Sequence, residues 1–90
     1  MEAQHIEHQL MAYVAKEFLK GDAVDLTVTT PLLELGVLDS FSILKLLAFA
    51  DREFGVRVPL EDVTADDMQD ISSIAAFVVE RAGSAVVGRV

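Results

Sequence analysis

The stretch between Asp39 and Gly55 constrains this chain more than any other. Ser40-Phe41-Ser42-Ile43-Leu44-Lys45-Leu46-Leu47-Ala48-Phe49-Ala50-Asp51-Arg52-Glu53-Phe54 contains no Gly or Pro and has more apolar positions than one core face needs. Asp is a preferred N-cap and Gly a preferred helix stop, so the spacing predicts a helix from the Asp39-Ser40 pair to Phe54. Ile43, Leu46, Leu47, Ala50 and Phe54 recur at i, i+3, i+4, i+7 and i+11, the pattern of a core-facing stripe. Phe41, Leu44 and Ala48 are left over on the side shared with Ser40, Lys45 and Arg52. This predicts a partly exposed apolar strip beside the serine.

A helix with one core stripe must be covered by others, and the rest of the chain supplies them. Ile6, Leu10, Tyr13, Val14 and Phe18 recur at steps of three and four and predict a first helix over 3–20, with Lys20 near its end and Gly21 as its stop. From Asp22 to Leu38 the periodicity fades. A strand there would have no partner, so a long structured loop is expected, pinned by Leu32, Leu33 and Leu35 and turned at Gly36. Val56-Arg57-Val58-Pro59-Leu60 reads as extended, because β-branching and the following proline disfavour helix. Thr64, Asp66 and Asp67 open a short third helix ending near Met68. Asp70 caps a last helix whose buried face is Ile71, Ile74, Ala75, Phe77 and Val78 and whose end falls near Arg81-Ala82-Gly83. The expected architecture is all-α: a four-helix bundle of three main helices and one short one, with a long loop between the first two. Residues 1–83 form the domain and 84–90 a flexible tail.

At 90 residues the chain makes one domain, too small for a cleft between two domains or layers. Fifteen acidic residues against seven basic ones give a net charge of −8, which disfavours nucleic acid and anionic lipid as ligands. Cysteine is absent, so the core alone must hold the fold. The polar start Met1-Glu2-Ala3-Gln4-His5 does not resemble a secretory signal, and no apolar run reaches the ~20 residues of a membrane span. A cytoplasmic, monomeric protein is expected, with no membrane partner. His5 and His8 lack a third good ligand, and the acids from Glu61 to Asp70 lack the spacing and turn glycine of an EF-hand loop, so no metal site is expected. Tyr13 and Phe49 carry core periodicity and are assigned to packing.

Ser40 stands at a predicted helix N-terminus, where unpaired N–H groups and the helix dipole favour an anion by ~0.3–1 kcal/mol. A serine hydrolase is excluded by the missing Gly-x-Ser-x-Gly turn and by histidines confined to the N-terminus. The wider string Leu32-Leu33-Glu34-Leu35-Gly36-Val37-Leu38-Asp39-Ser40-Phe41-Ser42-Ile43-Leu44 resembles the phosphopantetheine attachment signature of acyl and peptidyl carrier proteins, and the resemblance continues through Phe54-Gly55-Val56-Arg57-Val58-Pro59 to the last helix.

That resemblance implies a carrier rather than an enzyme. It implies 4'-phosphopantetheine joined covalently to Ser40, with Asp39 positioning the modification and Phe41, Leu44, Lys45 and Ala48 on the partner-docking face. It also implies a set of partners: a phosphopantetheinyl transferase, an adenylating or acyl-activating enzyme, and downstream acyl-processing or transferase enzymes. Fatty-acid carriers have acids close after the serine, where this chain has Ser42 and Lys45. The reading therefore leans to a freestanding peptidyl-type carrier of nonribosomal peptide or polyketide-type biosynthesis, its cargo an acyl or aminoacyl thioester. The alternatives are an unmodified carrier-like adaptor and a fatty-acid or polyketide starter carrier.

Overall fold

The computed structural model describes residues 2–19 and 26–88, with side chains described as far as Ala82. Three α-helices, α1 (Ala3–Phe18), α2 (Ser40–Phe54) and α3 (Ile71–Gly88), are joined by connections that include two single-turn 3₁₀ helices, Leu60–Asp62 and Asp66–Met68. No strand occurs among the described residues, and no described helix is long and apolar enough to cross a membrane. The expected all-α bundle is the observed fold.

α1 buries Ile6, Leu10 and Val14 completely, one residue per turn, and packs along α3. It ends at Phe18, two residues before the expected limit, and the expected stop at Lys20-Gly21 lies outside the described residues. α3 answers with Ile71, Ile74, Ala75, Phe77 and Val78, all buried as their spacing predicts. Its helix continues to Gly88 rather than ending near Gly83. No proline follows, and one interior glycine costs only ~1 kcal/mol, too little to stop a helix flanked by Ala82, Ala85, Val86 and Val87. Of the flexible tail expected over 84–90, residues 84–88 are helical in backbone and 89–90 lie outside the described residues.

In α2 the buried line runs through Leu46, Phe49 and Ala50, while Ile43, Leu47 and Phe54 are half-buried against the core. The stripe is turned by part of a residue from the predicted one because the Phe49 ring stacks on Tyr13 of α1, with centroids 4.1 Å apart. Gly55 then adopts the left-handed conformation (φ 69°). Its N–H donates to the Asp51 carbonyl at 3.0 Å and that of Val56 to Ala50 at 3.4 Å, which stops the helix and turns Val56 and Val58 inward.

The described part of the long loop is ordered by the start of α3. Ser72 N–H donates to the Val28 carbonyl and Leu32 N–H to the Gln69 carbonyl, both at 2.8 Å. Leu32 and Leu38 are buried and Leu33 half-buried. Leu35 is not a pin: it is 64% exposed, since the turn closed by Gly36 (φ 75°) points its side chain outward. The short third helix is realised as the 3₁₀ turn Asp66–Met68, held by a reciprocal cap in which Thr64 N–H donates to Asp67 Oδ2 at 3.0 Å and Asp67 N–H to Thr64 Oγ1 at 3.3 Å. The turn Leu60–Asp62, inside and just past the stretch read as extended, follows Pro59.

Candidate functional site

Asp39 is extended (φ −130°, ψ −175°) and its Oδ1 accepts from the Ser42 N–H at 2.8 Å, while its carbonyl accepts from Ile43 at 2.9 Å. That cap starts α2 one residue later, making Ser40 the first helical residue. The Ser42 N–H holds the Asp39 carboxyl below its ordinary value of 3.8, helped by the Ser42 hydroxyl and, more weakly, by the N–H groups of Phe41 and of Asp39 itself, with desolvation opposing. Asp39 is thus a carboxylate at neutral pH.

Ser40 is exposed, and its hydroxyl makes no hydrogen bond among the described residues. No acidic residue occupies the first turn of α2, so nothing inside the helix opposes an anion at its positive end. An exposed, unengaged hydroxyl at such a position fits a phosphodiester.

The strip beside it is exposed as its spacing predicts. Phe41 is 67% and Leu44 47% exposed, Ala48 and Lys45 lie open, and the Lys45 ammonium sits 5.1 Å from the centre of the Phe41 ring. Only four large apolar side chains are exposed among the described residues, and two of them are here, so the strip is a local concentration rather than the usual scatter. The other two, Leu35 and Leu60, flank α2 in sequence. Their exposure had no signal in the sequence, because leucines in a loop read as anchors.

Alongside the strip a groove of about 510 Å³ opens between α1 and α2, with the Tyr13–Phe49 stack in its lining and Lys16, Glu17, Lys45, Ala48 and Arg52 around it. The Tyr13 hydroxyl donates to the Lys45 carbonyl at 3.2 Å. Burial raises its pKa first, Glu17 adds to this, and Arg52 opposes it, so the phenol remains a donor at neutral pH. Phe49 is buried as assigned; Tyr13 is only half-buried and serves both core and groove.

The other residues weighed from the sequence sit elsewhere. His5 and His8 are exposed on α1. Asp62 pairs with Arg81 at 3.2 Å, Asp67 caps Thr64 and Asp70 caps Ser73, so these three acids have structural partners. No group of three His, Cys, Asp or Glu side chains able to hold a metal occurs among the described residues.

Residues 8–78, from α1 through the buried face of α3, match the phosphopantetheine attachment site family. The chain belongs to that family. It is similar to the probable acyl carrier protein PigG of Serratia sp. (strain ATCC 39006), with 30% identity over 73 residues that cover 81% of this chain and 84% of that protein. It is also similar to a chain in a solved structure described as the crystal structure of an FAD-dependent dehydrogenase. There the TM-score is 0.71 and the identity 36%, over 77% of this chain and 97% of that one. The protein is therefore a carrier and not an enzyme, and the group it bears is covalently bound 4'-phosphopantetheine.

Proposed function

We propose that Ser40 is the attachment residue, and that the protein presents an acyl or aminoacyl thioester to enzymes of nonribosomal peptide or polyketide-type biosynthesis. The observation carrying this reading is the exposed, unbonded Ser40 hydroxyl at the start of α2, inside the segment matched by the family. A transferase supplies coenzyme A, Mg²⁺ and a base. The serine oxygen bonds to the pantetheine-side phosphorus, the diphosphate P–O bond breaks to release adenosine 3',5'-bisphosphate, and the hydroxyl proton passes to the transferase base. The bound group supplies a thiol that holds the cargo as a thioester. Asp39 holds the first turn open and offers a carboxylate next to the reacting hydroxyl, where it can orient the serine or the transferase metal. Phe41, Leu44, Lys45 and Ala48 meet the partner enzymes.

The peptidyl-type assignment rests on Ser42 and Lys45, which replace acids where a fatty-acid carrier has them. A further partner class is supported by the similar chain in the dehydrogenase structure. That chain is shorter than this one, too short for a two-halved dinucleotide-binding fold, so we read it as the dehydrogenase's carrier. A flavin-dependent dehydrogenase is then a fitting downstream enzyme here, taking two hydrogens from the tethered group on to its flavin.

Intact mass tests the site: with coenzyme A, Mg²⁺ and a broad-specificity transferase, the wild type gains one phosphopantetheine and Ser40→Ala gains none. No gain on the wild type favours the unmodified adaptor. Loading by fatty-acyl donors but not by amino-acid activators favours the starter carrier.

A further inference from the structure

Helix α2 is acidic only off its outward face. Phe41, Leu44, Lys45, Ala48 and Arg52 form one exposed line at i, i+3, i+4, i+7 and i+11, with two cations and no acid. The acids of the helix lie to the side: Asp51 pairs with Arg57 at 3.4 Å, and Glu53 is 4.0 Å from Arg52. Across the α1–α2 groove, Lys16 adds a third cation. Three of the chain's seven bases thus surround one groove and strip in a protein of net charge −8. Lys16 and Lys45 have no carboxylate within ion-pair distance among the described residues. Lys45 leans on Phe41 with no acid beside it, and Arg52, at the outer limit of an ion pair with Glu53, lies 5.7 Å from the Phe49 ring, so an aromatic face helps to hold each head in place. Glu17 and Glu53 reduce the charge of the groove lining but leave it positive, while the Asp39 carboxylate stands outside the groove at the start of α2 and Glu61, Asp62 and Asp66 stand exposed beyond its end. Against the acidic stretch after α2, the groove beside α2 is the cationic part of this face.

The geometry points to an occupant for this cationic pole: an acidic, leucine-bearing segment of a partner enzyme. It would seat its apolar side chains on Phe41, Leu44 and Ala48 and its carboxylates against Lys45, Arg52 and Lys16. The inference rests on the carrier reading above and deepens it, because it gives the partner's docking surface a sign opposite to that demanded by a helix two rich in acids. Charge complementarity carries it: in a chain of net charge −8 an acidic partner is repelled by most of the protein and meets three clustered cations at this groove, which favours this place.

Two synthetic amphipathic peptides of equal length, one of Leu and Glu and one of Leu and Lys, test it against the ¹⁵N-labelled, phosphopantetheine-bearing protein by amide shifts. The Glu peptide should saturate, with shifts at Lys16, Lys45, Ala48 and Arg52, and should weaken about tenfold, some 1.4 kcal/mol, for Lys16→Glu/Arg52→Glu. Added salt should weaken it too. The Lys peptide should gain at this site on the same double variant. The milder Lys16→Gln/Arg52→Gln pair keeps the test open if charge reversal perturbs the fold. Failure of the Glu peptide to saturate, shifts centred elsewhere, or equal affinity for the double variant would each overturn the inference. The mass gain on modification, with the titration repeated on the unmodified protein, separates the two readings: no gain on the wild type defeats the carrier reading, whereas a gain without peptide binding defeats only the cationic pole.

Discussion

α2 and α3 begin with the same device and present opposite things. Asp39 Oδ1 accepts from Ser42 N–H at 2.8 Å; Asp70 Oδ1 accepts from Ser73 N–H at 2.7 Å. Each cap also receives the first helical bond on its carbonyl, from Ile43 at 2.9 Å and Ile74 at 3.0 Å. Beyond the cap they diverge. The first helical residue of α3, Ile71, is fully buried, and the N–H of Ser72 is taken by the Val28 carbonyl of the long loop. The first helical residue of α2 is Ser40, exposed and unengaged, followed by an exposed Phe41. A capped helix start with serines nearby is thus not enough to mark a site; the proposed attachment residue stands at the start that the loop leaves uncovered.

The largest expected effect is chemical. Ser40→Ala should abolish phosphopantetheine transfer, while Ser72→Ala and Ser73→Ala keep it, as intact mass will read; a gain that survives Ser40→Ala breaks the distinction. Stability should show the reverse order. Ile71→Ala should cost ~2–5 kcal/mol in denaturant unfolding, as for other fully buried aliphatic residues, and Ser40→Ala should stay within ~0.5 kcal/mol of wild type. Next come the caps. Asp70→Ala should lose ~0.5–2 kcal/mol and Asp70→Asn much less. Asp39→Ala should lose less than Asp70→Ala because its cap faces water, and a larger loss there would mean that the uncovered end is structurally the more demanding of the two.

The smallest effect is on pH. The Asp39 carboxyl is depressed in the folded chain, so its ionised form favours folding. Its contribution is complete above the ordinary value of 3.8 and disappears as pH falls through the lower folded value. The melting temperature of wild type relative to Asp39→Asn should therefore decline only in that acid window. A difference that declines near neutrality instead would show that another group controls this helix start.

α2 was legible from its sequence to the residue because its signals are local: Asp39 before, Gly55 behind, and no breaker between. The exposed strip was legible for the same reason, as the apolar positions left after one core stripe was satisfied. What escaped depended on contacts between distant segments. Whether Leu47 or Phe49 turns fully inward is decided by Tyr13, 36 residues from Phe49 in sequence. The outward turn of Leu35 and the single 3₁₀ turn after Pro59 are set by backbone geometry over three or four residues, too short for any periodicity to register. The groove had no sequence signal at all, since its walls belong to two helices and each side chain in it fits its own helix without it.

Tyr13 is the chain's sole tyrosine, and there is no tryptophan. Its hydroxyl ties α1 to the backbone of α2 at Lys45, and its ring lies flat on Phe49. The near-ultraviolet spectrum of the protein is consequently dominated by a single chromophore standing at the edge of the proposed docking face. Any peptide lacking both tyrosine and tryptophan can be watched as it arrives by the change in that one band, without a label and without altering a residue.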